Sequence, residues 1–262
     1  MQEKWNYSNF KSLRLKIKEE GLKVLAFLDE FAKNYKRIAY RDDYLETLKE
    51  LIVSQTECIY VIDFSQGKIT FAKGFESFLG YKDEKISLAT YLDKIHPDDV
   101  DVVGRIGTAT IEHTHSNPNN NQDNVLYISF RIRNSEGDYI KVLSQSSVYE
   151  TDQNGHMISS LIKVSDLSFI EDGEVVRYKF VADNLDQEVF KNKIYHSSKD
   201  LFTDRELDIV QEIAKGKSSQ EIAQGLEISK HTVATHRKKI MKKSGCHSAE
   251  ELLKFCKRNG VI

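Results

Sequence analysis

Between Ile228 and Gly245 lie six basic residues and no acidic one: Lys230, Arg237, Lys238, Lys239, Lys242 and Lys243. His231, Thr232, Thr235 and His236 are interleaved with them. Cations of this kind neutralise phosphates, and a threonine can offer a methyl or a hydroxyl to a base edge. The chemistry depends on whether these groups share a face. On a helix turning about 100° per residue, with His231 at zero, Thr235 falls near ~40°, Lys238 near ~340° and Lys242 near ~20°. Val233 and Ile240 fall on the opposite side, at about 200° and 180°. A helix with a cationic stripe and an apolar back fits the major groove, about 12 Å wide. No nucleophile–base pair or metal-spaced cluster appears elsewhere, so the sequence predicts no enzyme. A histidine kinase would need a further ATP-binding domain with Gly-rich boxes. Asp204 and Asp208 lie four apart on a helix, but helix capping accounts for the first.

The elements around the stripe are all helical, and their starts are well signalled. Thr203 with Glu206 forms a capping box, flanked by Phe202 and Leu207 as a hydrophobic staple. Ser218 with Glu221 and Ser248 with Glu251 repeat the box, and Ser229 caps the remaining helix. Gly216 and Gly245 stop the first and third helices. The result is four helices, over 204–215, 219–226, 230–244 and 249–259. Only Glu227-Ile228-Ser229 separates the second from the third, the short connection of a helix-turn-helix. Ile222, Ala223, Leu226, Ile228, Val233 and Ile240 supply its core.

Charge is distributed unevenly. Residues 199–262 hold 13 Lys/Arg and 9 Asp/Glu, leaving 25 and 31 of the chain's 38 basic and 40 acidic groups to residues 1–198. The formal total is −2, which excludes a globally basic nucleic-acid binder but not a local basic face. There is no apolar run of about 18 residues, so no membrane partner is expected. The first residues contain no apolar signal core. Cys58, Cys246 and Cys256 form no CxxC pair and no complete disulfide framework. A reducing, cytoplasmic location fits.

Upstream, Phe10, Leu13, Ile17, Val24, Phe27, Phe31 and Ile38 follow helical spacing over 10–38. This helix either packs on its own domain or dimerises. Cys58–Asp63 and Lys68–Lys73 read as strands joined by a turn at Ser65-Gln66-Gly67. Phe75–Leu79 is a short helix ending at Gly80. His96-Pro97-Asp98-Asp99 opens a helix to about Glu112, with its aspartates suited to the N-terminus. His113–Asn124 reads as a polar loop. In Val125–Arg133, Leu126, Ile128, Phe130 and Ile132 alternate with polar residues, the pattern of a strand with one buried face. Tyr139–Tyr149 and Met157–Ser165 complete an antiparallel set. The fold class is α+β, followed by an all-α module. Val175–Val181 and Leu185–Tyr195 are left open as strand and helix within a charged connector.

These residues carry two resemblances. Phe202-Thr203-Asp204-Arg205-Glu206, Ile213-Ala214-Lys215-Gly216-Lys217-Ser218, Glu221-Ile222-Ala223, Leu226-Glu227-Ile228-Ser229 and Thr232-Val233-Ala234-Thr235-His236 resemble the LuxR/GerE-type helix-turn-helix. The resemblance implies a four-helix module that binds double-stranded DNA as a homodimer, often with the fourth helix at the interface. It places Ala234, Thr235 and Lys238 at bases. It places Ser218, Lys230, Thr232, His236 and Lys239 near phosphates, and His231 and Lys242 join them on the stripe. Ala234 stands where the family often has Lys, so any contact there is apolar. RNA polymerase is a further candidate partner of such a regulator.

Residues of about 50–168 resemble a PAS sensor domain through Tyr60-Val61-Ile62-Asp63, Gly80-Tyr81, His96-Pro97-Asp98-Asp99, Phe130-Arg131-Ile132-Arg133 with Glu136-Gly137, and Asp152 to Gly155 before Val164-Ser165-Asp166-Leu167. Lys73 stands where many members have Asn. The resemblance implies a five-stranded antiparallel sheet covered on one face by short helices. The expected organisation is an N-terminal helical segment (1–45), a PAS-like sensor (46–168), a connector (169–198) and the helix-turn-helix (199–262). No flavin-reactive Asn-Cys-Arg-Phe-Leu-Gln-like run exists, which argues against flavin. His113 and His115 read as exposed surface residues, which argues against haem. A small-molecule ligand is left open, in a pocket between Tyr60, Ile62, Phe130, Ile132, Val142 and Ile162 and the helix 98–112. The alternative is a filled core that only dimerises. The chain then reads as a sequence-specific transcriptional regulator. The other reading is a PAS-type ligand-binding or interaction module whose tail does not bind DNA. The basic bias of 228–245 favours the first.

Overall fold

Alternating apolar residues generate the sheet. A computed structural model describes residues 26, 47–118, 123–170, 175–199 and 201–262. Apart from Ala26, the helix expected over 10–38 lies outside these residues. The strands are β1 (Glu57–Asp63), β2 (Lys68–Lys73), β3 (Val125–Arg133), β4 (Tyr139–Thr151), β5 (Met157–Asp166) and β6 (Arg177–Val181). They form one antiparallel sheet in the order β2-β1-β5-β4-β3-β6. Leu126, Ile128, Phe130 and Ile132 of β3 are all buried, as their alternation requires. The β1–β2 turn is organised by Asp63, whose carboxylate accepts from Ser65 Oγ at 2.6 Å and the Gln66 backbone N–H at 3.0 Å.

One face of the sheet is covered by short helices: α1 (Phe75–Leu79), α2 (Leu88–Lys94) and α3 (Val100–Ser116). Asp99 is the N-cap residue of α3, but its side chain does not cap. It is fully buried and turns instead to Arg131, receiving Nε at 3.0 Å, Nη2 at 2.6 Å and the Arg131 backbone N–H at 2.9 Å. This paired, hydrogen-bonded geometry is what a buried carboxylate requires, and it ties the start of α3 to β3.

Three expectations change. The sheet has six strands, because Arg177–Val181 joins β3, with Leu126 opposite Phe180 and Ile128 opposite Tyr178. The helix α3 runs past Glu112 to Ser116, and β6 lies alongside its end. His113 and His115 are therefore not free surface groups. Both are half-buried, with His113 edge-on to Phe180 at 5.5 Å and His115 4.9 Å from His156 between ring centroids.

The chain divides into two compact units, Met1–Leu185 and Asp186–Ile262. The second contains α4 (Gln187–Lys199), α5 (Asp204–Ala214), α6 (Ser219–Gly225), α7 (Lys230–Ser244) and α8 (Ala249–Arg258). Phe202, Ile209, Val210, Ile213, Ile222, Ala223, Val233, Ile240, Leu252 and Cys256 form its core. Thr203 and Ser218 both form complete capping boxes. Ser248 forms half of one, because the Glu251 carboxylate accepts from the His247 N–H at 2.7 Å rather than from Ser248. Gly245 ends α7 in the left-handed region, φ 69°, where a side chain would strain.

Candidate DNA-binding face and sensor cavity

Helix α7 is anchored from behind and bare in front. Val233 and Ile240 are fully buried, whereas Lys230, His231, Ala234, Thr235, Lys238, Lys239 and Lys242 are exposed. The exposed lysines carry no ion pair among the described residues. The remaining two cations of the basic run serve the fold. Arg237 donates to Ser219 Oγ at 3.3 Å, tying α7 to the start of α6. Lys243 Nζ lies 2.5 Å from Glu206 Oε2. Glu206 is 2% exposed and also accepts the Thr203 N–H at 2.9 Å, so one carboxylate joins the first turn of α5 to the last turn of α7. Burial pushes this carboxyl up, but the Lys243 ammonium and the Thr203 N–H outweigh it and hold it below its ordinary value.

The turn before α7 is held equally specifically. Glu227 has φ 54°, Ile228 N–H donates to Ala223 O at 3.0 Å, and Arg205 Nη2 donates to Leu226 O at 2.7 Å. Ser229 caps α7 by accepting the Thr232 N–H at 3.0 Å, and the two hydroxyls lie 2.8 Å apart. Thr235 Oγ1 donates back to His231 O at 3.1 Å, which leaves its methyl and oxygen lone pairs facing outward. His236 is half-buried, and its Nδ1 is buried with no partner. Ser218 is exposed and accepts the Glu221 N–H at 3.3 Å. Of the ten expected contact residues, seven are exposed on α7, Thr232 and His236 are half-buried there, and Ser218 stands at the start of α6.

The fourth helix contributes to the core of its own module. Leu252 is fully buried in the module's own core, and Leu253 and Phe255 pack against the same core. Leu253 and Phe255 remain half-buried. Burial pushes the Cys256 thiol up to about 12, which suits a packing role. Sequence reasoning missed the Glu206–Lys243 pair, because capping accounted for Glu206 and its partner lies 37 residues away.

In the first unit a cavity of about 150 Å³ opens between the sheet and helices α2 and α3. Tyr60, Ile62, Phe130 and Ile162 line it as expected, together with Tyr91 of α2 and Gly104 and Gly107 of α3. Ile132 and Val142 do not. Ile95 bridges directly to Ile132 and closes that end of the sheet. The serines Ser144, Ser146 and Ser160 of the sheet also line it. Lys73, the departure in β2, donates to Leu51 O at 2.9 Å and so holds the segment before β1.

With this geometry in place, residues 200–256 match the family of bacterial regulatory proteins of the luxR family, and residues 68–161 match the PAS fold. The chain carries a PAS domain and a LuxR-type helix-turn-helix. Among curated relatives, the response regulatory protein YgeK of Escherichia coli (strain K12) is 50% identical over 66 residues, 25% of this chain and 45% of its own. The transcriptional regulatory protein YxjL of Bacillus subtilis (strain 168) is 31% identical over 93 residues, 34% of this chain and 43% of its own. The chain therefore spans less than half the length of these relatives. Among solved structures, a VqmA–ligand–DNA complex from Vibrio cholera aligns with 85% of this chain and 89% of its own, at 14% identity and a TM-score of 0.32. A PAS domain from Colwellia psychrerythraea aligns with 49% of this chain and all of its own, at 19% identity and a TM-score of 0.37. Among the described residues of the PAS–LuxR chain, no helix is long and apolar enough to cross a membrane.

Proposed function

We propose that this chain is a sequence-specific DNA-binding transcriptional regulator in which the PAS domain receives a signal and the LuxR-type module reads DNA. The observation that carries this reading is the bare front of α7. His231, Thr235, Lys238 and Lys242 are exposed on one side, while Val233 and Ile240 are fully buried on the other. Ala234, Thr235 and Lys238 meet base edges in the major groove. Ser218, Lys230, His231, Thr232, His236, Lys239 and Lys242 meet the backbone or its immediate surroundings. The chain acts by binding, not catalysis, in the cytoplasm, with RNA polymerase as a further partner.

The working form is a homodimer, because two modules on matched half-sites gain avidity that one lacks. The candidate contacts are the N-terminal segment, the PAS domain and α8, whose Leu253 and Phe255 are half-buried. Ile52 (99% exposed) and Phe169 (82% exposed) lie just before β1 and just after its neighbour β5, at the same end of the sheet.

Fluorescence anisotropy with labelled duplexes over a range of salt tests the reading. Lys239→Ala weakens binding to every sequence and lowers the salt slope by about one unit. Thr235→Ala changes which sequence is preferred. Both variants binding like the parent protein would remove the groove assignment.

A further inference from the structure

Two histidines from elements far apart in sequence meet on the first unit, outside both sites described above. His115 stands in the last turn of α3, and His156 ends the turn between β4 and β5. Their ring centroids are 4.9 Å apart. An ion lies about 2.0–2.1 Å from a ligating imidazole nitrogen and so about 3.2 Å from the ring centre. Two imidazoles on one ion, at an angle of about 90–110°, therefore have centres roughly 4.5–5.2 Å apart. The pair has that spacing. His113, on the same turn of α3, packs edge-on to Phe180 instead.

Both sides of the pair are held by backbone. Asp152 Oδ1 accepts the N–H groups of Asn154 and His156, each at 2.8 Å, and the Asp152 N–H donates to His156 O at 2.8 Å. Gly155, at φ 81°, lies against the chain leaving α3: a Cβ there would stand 2.5 Å from Pro118 O. The turn that carries His156 is thus seated directly on the segment that follows His115.

Asp152 also orients the His156 ring. Burial pushes its carboxyl up, but the N–H groups of His156 and Asn154 and the His156 ring outweigh it, so the group is ionised at neutral pH. An ionised carboxylate only accepts hydrogen bonds. His156 Nδ1, 3.2 Å from Asp152 Oδ2, therefore carries the hydrogen, and Nε2 of the neutral ring carries the lone pair. A carboxylate behind an imidazole in this way is the support that metal-ligating histidines receive. The His156 side chain is 31% exposed, which gives an ion access from solvent.

We propose that His115 and His156 bind one divalent ion of the class that prefers nitrogen, Zn²⁺ being its representative, and that Asp152 positions His156 for it. Mg²⁺ and Ca²⁺ take oxygen ligands and are disfavoured by two imidazoles. Water fills the remaining positions, because no group of three metal-ligating side chains occurs among the described residues. The site stands independently of the DNA-reading assignment.

The test titrates the full chain with Zn²⁺ at neutral pH, following the histidine ring nitrogens by ¹⁵N NMR and the affinity by calorimetry. Nε2 of His156 and one ring nitrogen of His115 shift together, and Mg²⁺ moves neither. His115→Gln and His156→Gln each weaken Zn²⁺ by more than the about tenfold that an outer-shell partner is worth. The double variant measures what the cysteines and the other histidines bind. Asp152→Asn keeps an oxygen for the Asn154 and His156 N–H groups and both ligands in place, yet weakens Zn²⁺ about tenfold. Should a variant fail to fold, the ring shifts of the parent protein still decide the case. A double variant that binds like the parent, a shift of only one of the two rings, an equal response to Mg²⁺, an unchanged affinity in Asp152→Asn, or no ring shift with Zn²⁺ overturns the proposal.

Discussion

Glu206 shows how a single side chain serves two elements. Its carboxylate closes the capping box of α5 and receives Lys243 from the far end of α7. Because its folded value is depressed, this group contributes stability that is present above its ordinary value of 4.5 and is lost as pH falls through the lowered folded value. Urea unfolding followed across pH 6 to about pH 3 should therefore show a steeper loss in the parent protein than in Glu206→Gln. Parallel acid limbs in the two proteins would show that the pair does not titrate with folding. Lys243→Met, which strands a buried carboxylate, should cost about 2 kcal/mol at neutral pH. The same residue type elsewhere in the basic run behaves differently: Lys238, Lys239 and Lys242 are exposed, and their replacement should leave stability within about 0.5 kcal/mol while reducing DNA affinity.

At the scale of elements, the junction of α6 and α7 sets the angle at which the reading helix is presented. A glutamate occupies its left-handed position, Glu227 at φ 54°, where a side chain costs about 1 kcal/mol relative to glycine. Glu227→Gly should raise the stability of the module by roughly 0.5–1 kcal/mol in urea titrations and leave DNA affinity unchanged. Destabilisation would instead mean that the turn depends on the glutamate side chain. The helix starts around this junction were legible from Thr203, Ser218 and Ser229, because capping acts within four residues. The start of α3 was misread for the converse reason. Asp99 has the composition of a cap, yet its carboxylate is claimed by Arg131, 32 residues away.

At the scale of the molecule, each unit has a buried core of its own. Phe130 belongs to the sheet of the first unit, and Ile222 and Ile240 to the helices of the second. Calorimetry should accordingly resolve two transitions. Phe130→Ala should lower the first by about 3–5 kcal/mol, and Ile240→Val the second by about 1 kcal/mol, with the double variant additive. A single transition that moves with either substitution would show that the units unfold as one.

Local patterns were enough to determine the helices of the C-terminal module, the strands of the sheet and the two faces of α7. Capping, period-two alternation and helical periodicity are all set by residues within a turn or two of one another. Tertiary structure decided what depends on distant partners. It separated Lys243 from the unpaired lysines of α7 by giving it Glu206, and it took Leu252 into the core. It also added Arg177–Val181 to the sheet as a sixth strand. The cavity belongs to the same class. Tyr91, Gly107 and Ser144 stand on three separate elements, and only their packing leaves a space between them, because a void is a property of how side chains fail to meet.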